Sequence, residues 1–263
     1  MKKYIVIGNP IEHSLSPKLH NHWLKENNID GVYEMKKANH NEIKDIIMQV
    51  RTNEITGINV TVPFKKEVIS YLDQLSSEAL ITQSVNTIYL ENDKIIGHNT
   101  DTFGFEHSLK NLNFDLKNKK IFILGAGGVV PSIIYSLEKL GSSNISLSNR
   151  TRSKANDLKK LFVNLNVVEW GALTDFDMII NATSIGLNQG DKIDLDFDSI
   201  KKNSLFYDVI YNPKETDFLK TGKKLGAQIL NGKMMFIYQA FEAFKIWHKT
   251  TPKINEEVMR LLD

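Results

Sequence analysis

The sequence predicts an α/β protein of two domains: an N-terminal, mainly parallel α/β domain, followed by a Rossmann-type, doubly wound domain. Three observations carry this. In the first half, short β-branched runs alternate with helical stretches, as in strands joined by helical crossovers. After Asp101, a continuous apolar run, Ile121-Phe122-Ile123-Leu124, enters Gly125-Ala126-Gly127-Gly128 and then an apolar helix. Lastly, Met234 to Trp247 reads as one long amphipathic helix, too apolar to stand alone. We expect it to pack back on the first domain. Residues 1–101 with 234–263 then form one domain and residues 102–233 the other.

The elements follow in order. Tyr4 to Ile7 is a buried strand ended by Gly8-Asn9-Pro10. The loop Glu12 to Pro17 leads into a helix from Lys18 to Asn27, with Ser16 as N-cap and Pro17 suited to the first turn. Val32 to Met35 is a strand. Glu42 to Arg51 is a helix with Ile43, Ile46, Ile47 and Val50 on one face. Gly57 to Val62 is a strand stopped by Pro63, and Lys66 to Leu75 reads as helix. Thr87 to Leu90 and Lys94 to Gly97 form a hairpin about Asn92-Asp93. A helix runs from Phe103 to Asn111. The glycine turn then leads into a helix from Val130 to Leu140, and Ile145–Ser148, Val167–Val168, Met178–Ile180 and Leu205–Val209 supply further strands.

Composition narrows the function. The apolar share of 41% and charged share of 24% are those of a soluble globular protein, and 263 residues suffice for packed cores. A net charge of +2 gives no reason to expect nucleic acid or an anionic membrane as partner. The lysines between Lys117 and Lys120 lack interleaved aromatics and read as a solvated turn. With no cysteine, disulfides, thiol nucleophiles and cysteine-bound metals are excluded. His20 and His22 do not share a helix face, so no metal site is expected. The apolar run at the start stops at Asn9-Pro10, too early for a secretory signal, and no stretch approaches the roughly 20 residues of a membrane span. We expect a cytoplasmic protein.

The glycine turn is the cofactor signal. Glycines permit a tight strand-to-helix turn and close backbone approach to a pyrophosphate, which the helix N-terminus favours. Val130 replaces the third glycine of the usual pattern, and Pro131 sits in the first helical turn. A turn that holds no ligand is the plain alternative. Roughly 20 residues on, where NAD enzymes place an acid on the ribose hydroxyls, stand Asn149, Arg150 and Thr151, with Lys154 one turn later. A guanidinium and an ammonium attract a 2′-phosphate, so NADP is preferred to NAD; the bland alternative is a solvated basic helix start. Lys65 and Asp101 lie upstream in separate polar turns. Taken singly they are a surface lysine and a helix N-cap. Together with Ser14, Ser16, Thr61 and Asn86 they lie at strand ends, where an open α/β sheet binds ligands. We read Lys65 and Asp101 as the catalytic pair of a nicotinamide-dependent dehydrogenase acting on a small polyhydroxylated carboxylate.

These stretches, taken in order, resemble one family along nearly the whole chain. They are Gly8-Asn9-Pro10-Ile11 with Ser14-Leu15-Ser16-Pro17, Asn59 to Lys65, Val85-Asn86-Thr87, Asn99-Thr100-Asp101, Gly125 to Gly128, Asn149-Arg150-Thr151, Asn181 to Gly186, Asp208 to Pro213, and Gly232 to Gln239. The chain is similar to the NADP-dependent shikimate/quinate dehydrogenase family. That resemblance implies a substrate domain followed by an NADP domain. It implies that Ser14, Ser16, Thr61, Asn86, Tyr211 and Gln239 hold the substrate, with Lys65 and Asp101 catalytic. It implies that Gly125, Ala126, Gly127, Gly128, Val129, Asn149, Arg150, Thr151, Lys154 and Thr183 bind NADP(H), and that the backbone at Val209 and Gly232 lines the nicotinamide pocket. His98, Val129 to Pro131, and Ser77 depart from the family pattern. The implied reaction is reversible NADPH-dependent reduction of 3-dehydroshikimate to shikimate, in aromatic amino acid and chorismate biosynthesis. The implied partner is that small molecule, without nucleic acid or membrane, and the protein a monomer or homodimer. Two alternatives stand beside this: a dual quinate/shikimate dehydrogenase, and a non-catalytic NADP-binding regulator on the same scaffold.

Overall fold

The computed structural model describes residues 1–110, 112, 114–188, 190–197 and 203–263. The chain divides into two compact units, Met1–Gly104 with Ile237–Asp263, and Phe105–Phe236.

The first unit comprises β1 (Lys2–Gly8), α1 (Ser16–Glu26), β2 (Gly31–Lys37), α2 (Ile43–Arg51), β3 (Gly57–Val60), β4 (Gln74–Leu75), α3 (Ser77–Thr82), β5 (Thr87–Glu91), β6 (Lys94–His98) and the start of α4 (Asp101–Leu109). The sheet order is β2-β1-β3-β5-β6-β4. β1 pairs in parallel with β2 and β3, and β4 with β6, whereas the β5–β6 hairpin runs antiparallel. Asn92 and Asp93 at its tip take positive φ of 50° and 58°, as a two-residue hairpin turn requires. Alternation along β1 sends Ile5 and Ile7 into a core with Ile46, Ile47 and Val50 of α2. It sends Tyr4 to the other face, against Trp247 at 5.1 Å between ring centroids.

Several expectations need correction here. α1 begins at Ser16 itself, and Leu15 occupies the cap position without a side-chain cap. The Ser14 hydroxyl accepts the Ser16 N–H at 3.3 Å instead. The helix expected over Lys66–Leu75 is a short 3₁₀ turn, Glu67–Tyr71, followed by β4. The cause is tertiary: the Asp73 carboxylate accepts from Arg51 and from the Ile95 N–H, at 2.5 and 2.6 Å, and its own N–H reaches Ile95 O. Those bonds draw the chain into extended pairing beside β6. β3 stops at Val60, before the turn in which Phe64 N–H bonds to Thr61 O. α4 ends at Leu109; Asn111, where the helix was expected to end, lies outside the described residues.

The second unit follows α4 with β7 (Lys120–Leu124), α5 (Val130–Lys139), β8 (Asn144–Ser148), α6 (Arg152–Leu161), β9 (Asn166–Val168), β10 (Met178–Asn181), β11 (Leu205–Asp208), α7 (Asp217–Lys224) and β12 (Gln228–Leu230), then the start of α8 (Lys233–His248). Its sheet is parallel throughout, in the order β12-β11-β10-β7-β8-β9. Counted from β7 this is the doubly wound order 3-2-1-4-5-6, with its switch point between β7 and β10. β7 is covered on both faces, as its unbroken apolar run requires: Ile121 and Ile123 meet Ile133 and Leu137 of α5, and Phe122 and Leu124 meet Phe206 and Phe218. α8 carries the chain back into the first unit, which closes with α9 (Glu256–Leu261). Phe244 of α8 packs there edge-on against Trp23 of α1, at 5.7 Å. Among the described residues no helix is long and apolar enough to cross a membrane.

Candidate active site

In the first unit, Lys65 follows the buried Phe64, and its carbonyl accepts the Val85 N–H at 2.8 Å. Asp101 is the first helical residue of α4 rather than the N-cap before it, and Asn99 Oδ1 accepts its N–H at 3.1 Å. Lys65 Nζ donates to Asp101 Oδ2 at 2.5 Å, and both residues are under a tenth exposed. An ammonium carries three donors, and this bond uses one of them. The second Asp101 oxygen accepts from Asn86 Nδ2 at 3.0 Å.

Asn86 has no freedom to flip. Its Oδ1 accepts the Thr100 N–H at 2.7 Å, and a backbone amide can only donate. The Asn86 NH₂ group must therefore face Asp101, the Thr100 hydroxyl at 2.9 Å and Gln239 Oε1 at 3.4 Å. Four of the expected residues thus converge: Lys65, Asn86, Asp101 and Gln239. Thr61 holds the adjoining turn through its N–H to Ile7 O at 2.9 Å.

A chain of hydrogen bonds reaches Asn86 through residues to which the sequence reading gave no role, and among the described residues no hydrogen bond brings Ser14 or Ser16 into it. The buried Tyr33 hydroxyl donates to Asn59 Oδ1 at 2.7 Å. Asn59 Nδ2 in turn donates to Asn86 O and to Thr87 Oγ1, both at 3.0 Å. Burial pushes Tyr33 well above the ordinary phenol range, so its proton stays in this chain of bonds. Tyr33 also stacks on His20, at 4.3 Å and 4° between planes. Nothing in sequence marks a strand tyrosine as part of a polar network. Asn59 opens the stretch Asn59 to Lys65, but nothing in its neighbours marks it as a link.

In the second unit the glycine turn sits at the switch point. Gly125 takes φ +107°, and a Cβ there would meet Ala182 O at 2.7 Å, so only glycine fits. Its N–H donates to Ser148 O at 2.8 Å, tying the turn to the end of β8. Val129 caps α5 without a side-chain bond, and Ala126, Gly127 and Gly128 lead into this helix N-terminus. At the end of β8, Asn149 Nδ2 donates to Thr151 O at 2.7 Å, and Arg150, Thr151 and Lys154 are exposed around the start of α6. This cradle fits an anionic dinucleotide with an added phosphate.

The opposite side of the switch point is braced by Asn181 and Asp208, which the sequence reading left without a role. The Thr183 hydroxyl donates to Asn181 Oδ1 at 2.7 Å. Asp208 accepts from Asn181 Nδ2 at 3.1 Å, Ile210 N–H at 3.0 Å and the Thr216 hydroxyl at 2.5 Å. Burial raises the Asp208 pKa, and these bonds oppose the rise. Gly232 lies directly against Val209, where a Cβ would come within 2.0 Å of the carbonyl oxygen. Tyr211 stacks on Phe236 at 4.7 Å. Among the described residues, no group of three or more His, Asp or Glu is placed to hold a metal ion.

Comparison with known proteins agrees in kind. Residues 6–88 match the family model described as the shikimate dehydrogenase substrate binding domain, and residues 106–206 the one described as shikimate / quinate 5-dehydrogenase. The chain is 56% identical, over 100% of its length and 99% of the relative's, to a shikimate dehydrogenase (NADP(+)) of Pelagibacter ubique. It superposes on the crystal structure of shikimate dehydrogenase from Aquifex aeolicus with TM-score 0.89 and 38% identity, covering 100% of this chain and 97% of that one. The Thermus thermophilus shikimate 5-dehydrogenase, solved in complex with NADP(H) and shikimate, matches with TM-score 0.89 and 29% identity over 99% and 100% of the two chains.

Proposed function

The chain belongs to the shikimate dehydrogenase family, and on that premise we propose that it catalyses the reversible NADPH-dependent reduction of 3-dehydroshikimate to shikimate. The observation that carries the reading is the buried Lys65–Asp101 pair, with Asn86 and Gln239 beside it. Residues 1–101 with 234–263 would hold the substrate, and residues 102–233 the cofactor. The bound cofactor supplies the hydride. Negative charge then grows on the substrate oxygen, and Lys65 stabilises it and delivers the proton. Asp101 holds the ammonium in place and accepts a bond from a substrate hydroxyl. Ser14, Ser16, Thr61, Asn86, Tyr211 and Gln239 supply the hydroxyl and amide contacts that a polyhydroxylated carboxylate needs. Arg150 and Lys154 would hold the 2′-phosphate and Gly125 to Val129 the pyrophosphate, Thr183 would also contact the cofactor, and the backbone at Val209 and Gly232 would line the nicotinamide pocket. The enzyme would work in the cytoplasm, as a monomer or homodimer.

The test is a grid of purified protein with shikimate or quinate, each with NADP or NAD. Turnover should be greatest with shikimate and NADP. Comparable turnover of quinate would make the enzyme a dual dehydrogenase, and no turnover in any cell of the grid would sink the reading.

A further inference from the structure

NAD enzymes of this fold place an acid at the end of the second strand, on the ribose hydroxyls. Here the end of β8 bears Asn149 and Arg150, and the nearby acid comes from the next strand instead. Glu169 directly follows β9. Its backbone is tied to β8 by a bond from the Ser148 hydroxyl to Glu169 O, at 3.0 Å, and Val168 pairs with Ser148 in the sheet. Its carboxylate, 73% exposed, forms an ion pair with Arg152 at the start of α6. A carboxylate therefore stands beside the segment that would receive a 2′-phosphate, where its charge would repel that group. Arg152 cancels it.

We propose that Arg152 and Glu169 form a cofactor-selectivity pair. Arg152 acts as a positioning residue that neutralises Glu169, so that Arg150 and Lys154 meet the 2′-phosphate unopposed. An unpaired Glu169 turns the site toward NAD. This rests on the NADP reading above.

The test is calorimetric binding of 2′,5′-ADP, which carries the 2′-phosphate, and of 5′-AMP, which lacks it, to the full chain. Arg152→Ala should weaken 2′,5′-ADP about fivefold at low salt, the scale of one exposed charge contact, and leave 5′-AMP unchanged. Raising the ionic strength to about 1 M, where the Debye length is about 3 Å, should largely erase that loss. Arg152→Lys keeps the charge and should bind both ligands as the wild type does. The decisive variant is Arg152→Ala with Glu169→Gln, which should recover 2′,5′-ADP binding. If it binds as weakly as Arg152→Ala alone, Arg152 grips the phosphate itself and the proposal is overturned. The same follows if Arg152→Ala loses nothing, or loses both ligands equally. A wild type that fails to prefer 2′,5′-ADP would remove the NADP reading, and this pair's role with it.

Discussion

Lys65 Nζ and Asp101 Oδ2 lie 2.5 Å apart, buried, and 36 positions apart in sequence. Removing either partner strands the other charge out of water, a costly state. The pair therefore holds its geometry before any ligand arrives. Lys65→Ala should lower kcat by about 10²–10⁴ while the KM for shikimate stays within a few-fold, since other groups bind the substrate. Steady-state kinetics decides this. Near-full turnover in the variant would mean that Lys65 is not the proton donor.

Gln239 is reached by the Asn86 amide at 3.4 Å, although it lies on α8. Gln239→Ala should weaken shikimate binding by about 1–3 kcal/mol, the cost of a lost polar partner, with NADP binding intact. Titration calorimetry with each ligand separates the two effects. Equal losses for both would show a fold defect rather than a lost substrate contact.

Arg150 is exposed at the end of β8 beside Thr151, which opens α6. Arg150→Asp should raise the KM for NADP sharply and that for NAD much less, because only NADP carries the 2′-phosphate. If both rise together, Arg150 supports the loop or stacks on adenine, and charge selection lies elsewhere.

Stability should fall in acid through His20. Burial lowers its pKa from 6.5 to about 3, so between those values the unfolded chain binds a proton that the folded chain does not. The sign follows: this contribution is whole above the unfolded value and is lost as pH falls, by up to about 1.4 kcal/mol per pH unit. His248, lowered to about 4 chiefly by burial, acts in the same direction. His20→Phe keeps a ring stacked on Tyr33 and removes the titrating group. Urea denaturation across the acid range should show a shallower decline by nearly one proton. An unchanged slope would mean that His20 is protonated in the folded protein.

Much of this was legible in the residues themselves. The continuous run Ile121–Leu124 with its glycines announced a strand covered on both faces and a nucleotide turn, because apolar period and turn chemistry are short-range properties. Asn92-Asp93 announced the hairpin for the same reason. Lys65, Asn86 and Asp101 stood out as polar residues at strand ends.

What the sequence determined by itself was therefore the α/β class, the doubly wound half and the chemical character of the candidate site. Only the tertiary structure decided that Asn86 is locked by Thr100, and that Tyr33 and Asn59 form a buried chain of bonds to Asn86. It also decided that Asp73 draws residues 73–75 away from a helix and into the sheet. The physical reason is common to all three. A local propensity is worth a fraction of a kcal/mol per residue, about the size of one hydrogen bond, and a buried polar group must find its partner wherever strand register brings one. Register joins residues far apart in sequence, so these choices are settled only when the sheet is assembled.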